Sequence, residues 1–214
     1  DPEYVELREN IAKYNGVKLE NIVVGNGATE ILFLHMKAMK PKRTLIVAPA
    51  FAEYKRALDT IESEILYYPL LEENSWNLDV ESFLKELPQC DLVVICNPNN
   101  PTGSFIPLEN IKRINSELEK RGIRLFIDEA FIEFVEDWEN QTAILLKSKN
   151  IFIMRALTKF FAVPGVRLGY GITFDNEVLK KMESYKEPWS VNSFAELAGK
   201  TMLWDSEYIE TTEK

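Results

Sequence analysis

Histidine occurs once in this chain of 214 residues, cysteine twice, and no block of lysine and arginine occurs at all. Each scarcity removes a class of function. The single histidine and the two cysteines, Cys90 and Cys96, form no cluster with metal-ligand spacing, so no metal site is expected. Cysteine used this sparingly fits a reducing cytoplasm, and Cys96, at the end of an apolar strand, reads as a packed thiol. His35 lies in an apolar helical stretch and reads as a satisfied structural histidine. The net charge of -9 argues against a nucleic-acid partner. No apolar run reaches the roughly 20 residues of a membrane helix, so no membrane partner is expected, and no secretory signal is visible. What remains is a chain with 46% hydrophobic residues, enough for one sizeable core.

Helix-like and strand-like segments alternate throughout. The patterning predicts helices over Tyr4–Tyr14, after the Gly25–Glu30 segment as far as Met39, and over Phe51–Ile61, Val80–Leu87, Leu108–Arg121, Val178–Lys186 and Ser193–Leu203. Strands are predicted over Asn21–Val24, Thr44–Ala48, Glu64–Tyr68, Asp91–Cys96, Ile123–Ile127, Ile151–Met154 and Leu168–Thr173. Short, continuous apolar strands separated by helices indicate an α/β fold, with a mostly parallel sheet covered on both faces. The polar motifs fall at or just after the C-terminal ends of strands, where open α/β sheets build their sites.

Four motifs carry chemistry. Gly25-Asn26-Gly27-Ala28-Thr29-Glu30 joins a strand to a helix. Its glycines allow a tight turn and its free N–H groups suit a phosphate, although an ordinary turn with Thr29 near the helix start explains it equally well. Asn97-Pro98-Asn99-Asn100-Pro101-Thr102-Gly103 is a rigid loop after a buried strand. Asp128 ends the apolar run Leu125-Phe126-Ile127, and a buried carboxylate there needs a cationic or hydrogen-bonding partner. Lys159 stands among apolar residues in Leu157-Thr158-Lys159-Phe160-Phe161-Ala162. A lysine so placed is expected to lose solvation, so that its pKa falls and its amine becomes nucleophilic. Taken alone, it also fits a snorkelling side chain. Arg167 follows a Pro-Gly turn. The layout suits a Schiff-base lysine with a guanidinium nearby for a phosphate.

Together these segments closely resemble the fold-type I pyridoxal-phosphate enzymes, the aspartate aminotransferase superfamily, over almost the whole chain. The resemblance implies a three-layer αβα large domain that binds pyridoxal 5'-phosphate, with Lys159, Asp128 and Asn100 as its catalytic set. Asn100 would hydrogen-bond the cofactor's phenolic oxygen. Asp128 would pair with the protonated pyridine nitrogen, keeping the ring an electron sink. Arg167 would hold the phosphate, with Thr158 and the turn at Gly27, Ala28 and Thr29 beside it. Ala156 stands where many relatives carry Ser or Thr, so one phosphate contact is missing. Phe51 matches an aromatic that stacks on the pyridine ring, though an ordinary core aromatic fits nearly as well.

Within the superfamily the chain resembles the branch that holds histidinol-phosphate aminotransferases and L-threonine-O-3-phosphate decarboxylases. Four segments resemble the decarboxylases: Pro49 to Leu58, Asp128 to Phe134, Leu157 to Ala162, and Pro188-Trp189-Ser190-Val191-Asn192-Ser193. Phe131 stands where the aminotransferases usually have a tyrosine, which removes one donor to the phenolic oxygen. The resemblance therefore implies decarboxylation of a small phosphorylated amino acid in cobalamin biosynthesis, in a cytoplasmic homodimer. A class I/II aminotransferase is the alternative, and a pyridoxal-phosphate-binding regulatory domain a third reading. It also implies that residues 1–214 are a fragment. The small C-terminal domain, with its carboxylate-binding arginine, and an upstream tyrosine that reaches the partner subunit's cofactor would lie outside it, leaving the piece alone inactive.

Overall fold

The computed structural model describes residues 1–212. In chain order the regular elements begin with α1 (Val5–Tyr14), β1 (Ile22–Asn26), α2 (Ala28–Met39), β2 (Arg43–Ala48), α3 (Glu53–Asp59) and β3 (Glu64–Pro69). They continue with α4 (Val80–Glu86), β4 (Leu92–Cys96), α5 (Leu108–Lys120), β5 (Arg124–Asp128) and β6 (Ile151–Ala156). The last are α6 (Leu157–Phe160), β7 (Leu168–Thr173), α7 (Asn176–Tyr185), α8 (Ser193–Met202) and α9 (Ser206–Thr212). Short 3-10 turns lie between several of them.

Among the described residues the strands form one sheet in the order β1-β7-β6-β5-β4-β2-β3. Alternate side chains of a strand point to opposite faces. In β4, Leu92, Val94 and Cys96 enter one apolar cluster, with Ile31 and Leu32 of α2, Leu58 of α3 and Met182 of α7. Val93 and Ile95 enter the other, with Leu7 of α1, Phe83 of α4, Ile114 of α5 and Ala195 of α8. Both faces are covered, which is why the strands read as unbroken apolar runs rather than as alternating ones.

The sheet is parallel apart from β7, which runs antiparallel to both β6 and β1. The reversal decides where the functional residues meet. The C-terminal ends of β1, β4, β5 and β6 lie along one edge. Because Asn26 pairs with Leu168 and Ala156 with Gly169, the start of β7 lies on the same edge. Arg167 thus arrives from a strand's beginning, whereas the sequence pattern pointed only to strand C-termini. Gly169 lets β7 pass against the turn before α2, since a Cβ there would strike the backbone of Ala28.

Differences from the expected boundaries are small but informative. The α3 helix starts at Glu53, two residues after Phe51, so that ring stands outside the helix. β1 runs on through Asn26 because β7 pairs with it that far. The α6 and α9 segments are too short to show as a periodic pattern. No helix among the described residues is long and apolar enough to cross a membrane.

His35 is structural, as expected, but it is not satisfied. It is buried against Phe126 and Phe152, and its Nδ1 has no hydrogen-bond partner among the described residues. Burial, with Arg124 nearby, lowers its pKa to about 3. An unfolded histidine takes up a proton below about 6.5, whereas the folded one does not. This contribution is therefore complete above pH 6.5 and lost as the pH falls toward 3, at about 1.4 kcal/mol per unit. Unfolding free energies from urea titrations at pH 7, 5 and 4 should fall by a few kcal/mol less in His35→Leu than in the parent.

Candidate active site

A cleft opens at the edge where those strand ends meet. Of the site residues read from the sequence, Ala28, Thr29, Phe51, Asn100, Asp128, Phe131, Thr158, Lys159 and Arg167 line it, and Ala156 does so too. Gly27 lies immediately behind Arg167: a Cβ on it would come within 2.6 Å of Nη2.

Asp128 ends β5 and is almost fully buried. Both of its oxygens are engaged. The Tyr54 hydroxyl donates to Oδ2 at 2.6 Å, and the Ala130 N–H donates to Oδ1 at 2.9 Å. Burial raises its pKa to about 6, against the pull of those two donors and of the Lys159 charge, while Glu129 adds to the rise. Such a carboxylate is ready for a cationic partner inside the cleft.

The asparagine-rich loop divides its labour. Asn97 bonds Ile106 in both directions, through Nδ2 to its carbonyl at 2.9 Å and through Oδ1 from its N–H at 2.8 Å. Asn99 donates to the Pro49 carbonyl at 3.0 Å and to Thr102 Oγ1 at 2.8 Å. With these two committed to holding the loop, the third, Asn100, lines the cleft. Cys96 is buried, as the sequence implied, yet it also lines the cleft. Its thiol donates to the Pro98 carbonyl at 3.2 Å, and burial pushes its pKa up to about 12.

At the opposite side, α2 begins at Ala28 with Gly27 as its cap, at φ 81, and no side chain caps the helix. Thr29 is therefore inside the first turn rather than a capping residue, and N–H groups of that turn are left for an anion. Arg167, itself at φ 61, donates to the Pro164 carbonyl at 3.1 Å and keeps its guanidinium over Gly27.

One expectation needs correction, and one alternative falls away. The apolar neighbours of Lys159 are buried, but Lys159 is exposed in the cleft, with Nζ 5.7 Å from the centre of the Phe131 ring. Burial, on which the expected loss of solvation rested, is not what the fold provides. Phe51 is no core aromatic: it is 38% exposed and meets the Tyr54 ring edge-on at 5.8 Å.

Tyr54 was not legible as a site residue, although it lies three residues after Phe51 in the segment that resembles the decarboxylases. Nor was the buried cluster behind the cleft. Arg155 donates to Glu129 Oε2 through Nη2 at 2.8 Å and Nε at 3.1 Å, to Thr142 Oγ1 at 2.8 Å and to Glu133 at 3.3 Å. An arginine beside the Lys159 segment, with glutamates one and five residues past Asp128, was the available signal.

The cleft suits pyridoxal 5'-phosphate on its own geometry. A glycine whose Cβ position the arginine fills, next to an uncapped helix start, makes an anion cradle. A buried carboxylate stands in the same cleft for a protonated ring nitrogen, and an exposed lysine amine is within it.

A mostly parallel αβα sheet with such an edge site is the fold of a class of cofactor-dependent α/β enzymes. The chain belongs to the family of class I and II aminotransferases, whose model matches residues 1–214. It is 44% identical over 214 residues to a protein of Caldanaerobacter subterraneus subsp. tengcongensis that provisionally bears the name threonine-phosphate decarboxylase. It is 38% identical over 213 residues to the threonine-phosphate decarboxylase of Salmonella typhimurium. Each match takes in 99% of this chain, and the chain spans 58% of the length of these curated relatives. The crystal structure of the histidinol-phosphate aminotransferase from Clostridium acetobutylicum superposes on it with a TM-score of 0.90 at 35% identity, covering 100% of this chain and 63% of that one.

Removing Arg155 would strand Glu129 and Glu133 as buried, unpaired charges. Arg155→Met should lower unfolding free energy by about 3–5 kcal/mol in urea titrations, and adding Glu129→Gln and Glu133→Gln should recover much of that loss.

Proposed function

We propose that the protein containing this chain is a pyridoxal-phosphate-dependent decarboxylase that converts L-threonine O-3-phosphate to (R)-1-amino-2-propanol O-2-phosphate, in cobalamin biosynthesis. The observation that carries this reading is Phe131. It lines the cleft beside Lys159, where an aminotransferase of this branch would place a tyrosine hydroxyl. The names of the two relatives at 44% and 38% identity support it. We place the enzyme in the cytoplasm, as a homodimer whose partner completes the site.

Pyridoxal 5'-phosphate, when bound, supplies an electron sink for the pair left behind as a bond to the substrate's Cα breaks. The chain's residues do the rest. Arg167, Thr158 and the N–H groups at the start of α2 would hold the cofactor's phosphate. Asp128 would keep the ring nitrogen protonated, and Asn100 would donate to the phenolic oxygen. Phe51 would pack against the ring. Lys159, exposed in the cleft, would hold the cofactor at rest and would be the group that returns a proton to Cα. Which bond to Cα breaks would depend on how the cleft orients the substrate, so orientation rather than cofactor chemistry would select the product. Phe131 offers no hydroxyl to relay a proton, which disfavours the proton movements of transamination.

The second reading is histidinol-phosphate aminotransferase, favoured by the close superposition on an enzyme of that name. The two separate cleanly in one preparation of the full-length protein with pyridoxal 5'-phosphate. The proposal expects carbon dioxide from L-threonine O-3-phosphate alone, abolished in Lys159→Ala and reduced several-fold in Phe131→Tyr. Conversion of histidinol phosphate with 2-oxoglutarate, and no carbon dioxide, would establish the aminotransferase instead.

A further inference from the structure

Tyr54 has no part in the chemistry outlined above, yet it touches two of the groups that do. It is fully buried on α3. Its hydroxyl donates to Asp128 Oδ2 at 2.6 Å, and its ring packs edge-on against Phe51 at 5.8 Å. Resting on the cofactor reading just given, we propose that Tyr54 is a positioning residue, whose phenol fixes the Asp128 carboxylate for its cationic partner in the cleft.

The physical case starts from the carboxylate. A buried aspartate without donors would take up a proton and turn. The Ala130 N–H secures Oδ1, so Oδ2 depends on the phenol. The other groups that act on Asp128 oppose one another: Lys159 favours the charge and Glu129 disfavours it. The Cys96 thiol does not substitute for the phenol, because it is already committed to the Pro98 carbonyl. Burial and the Asp128 charge both hold Tyr54 well above its ordinary pKa, so the phenol remains a donor throughout the working range. Removing the hydroxyl therefore shifts Asp128 toward its protonated form. A protonated carboxyl pairs poorly with a protonated ring nitrogen. The loss is felt most near pH 7, and raising the pH to 9 offsets it by favouring the ionised carboxylate.

The experiment measures equilibrium affinity for pyridoxal 5'-phosphate in the full-length protein, from tyrosine and tryptophan fluorescence, at pH 7 and pH 9. Tyr54→Phe should weaken binding about tenfold at pH 7, the scale of one hydrogen bond to a charged group, and by much less at pH 9. In an Asp128→Asn background, which carries no buried charge to strand, the same change should alter affinity by less than about twofold. This second comparison decides the matter if Tyr54→Phe alone fails to fold. Equal affinities for parent and Tyr54→Phe at pH 7 would overturn the proposal. So would a loss of the same size at both pH values that persists beside Asp128→Asn, since that is a packing effect. A parent protein that takes up no pyridoxal 5'-phosphate would overturn the cofactor reading itself, and this inference with it.

Discussion

The edge site depends on one buried ion pair. Arg155 and Glu129 lie at the ends of adjacent strands, β6 and β5, one residue from the cleft on each side. Arg155 is completely enclosed, with its guanidinium over Trp138 at 4.9 Å. Glu129 Oε1 accepts the Ala143 N–H at 2.7 Å, and Thr142 donates to Oε2 at 2.7 Å. The irregular segment between β5 and β6 is thus wrapped around one cation. Such a pair seldom stabilises a fold more than packed hydrocarbon would. What it does here is fix the path of the chain: with it in place, Asp128 and the turn carrying Lys159 leave the sheet at set positions.

The second constraint is the reversed strand. A wholly parallel sheet could gather its strand C-termini on this edge but could not deliver a residue from a strand's start. β7 does so, and two glycines make room for it. Gly169 allows contact with the turn before α2, and Gly27 leaves the space that the Arg167 guanidinium occupies. The result is a cation and an uncapped helix start together on one side of the cleft, and a buried carboxylate in its floor. Charges of opposite sign are kept apart in one small volume, the arrangement needed by a ligand with an anionic tail and a cationic ring.

Much of this was legible in the sequence. Buried strands announce themselves as short apolar runs, and all of the predicted strands are present with small shifts at their ends. The cleft residues were legible because strand ends followed by Gly, Pro, Asn or Asp stand out. The rest was hidden for physical reasons. Strand direction leaves no mark on an apolar run, so the reversal of β7 was invisible. Three nearby asparagines, Asn97, Asn99 and Asn100, look alike until hydrogen bonds assign two of them to the loop. Lys159 sits among buried neighbours on one short helix, but residue spacing does not tell which side chain turns outward. Tyr54 reads as one more apolar helix position, and only its 2.6 Å contact reveals the link to Asp128. His35 reads as structural from its apolar surroundings, yet no pattern of residues shows that its buried nitrogen is left without a partner among the described residues.

The central claim is that this cleft holds pyridoxal 5'-phosphate on Lys159. Borohydride reduction of the full-length protein in the presence of pyridoxal 5'-phosphate, followed by peptide mass mapping, tests it most directly. The account predicts a pyridoxyl group on the peptide carrying Lys159 and on no other lysine at comparable yield. A label confined to another lysine, or no label at all, would contradict it.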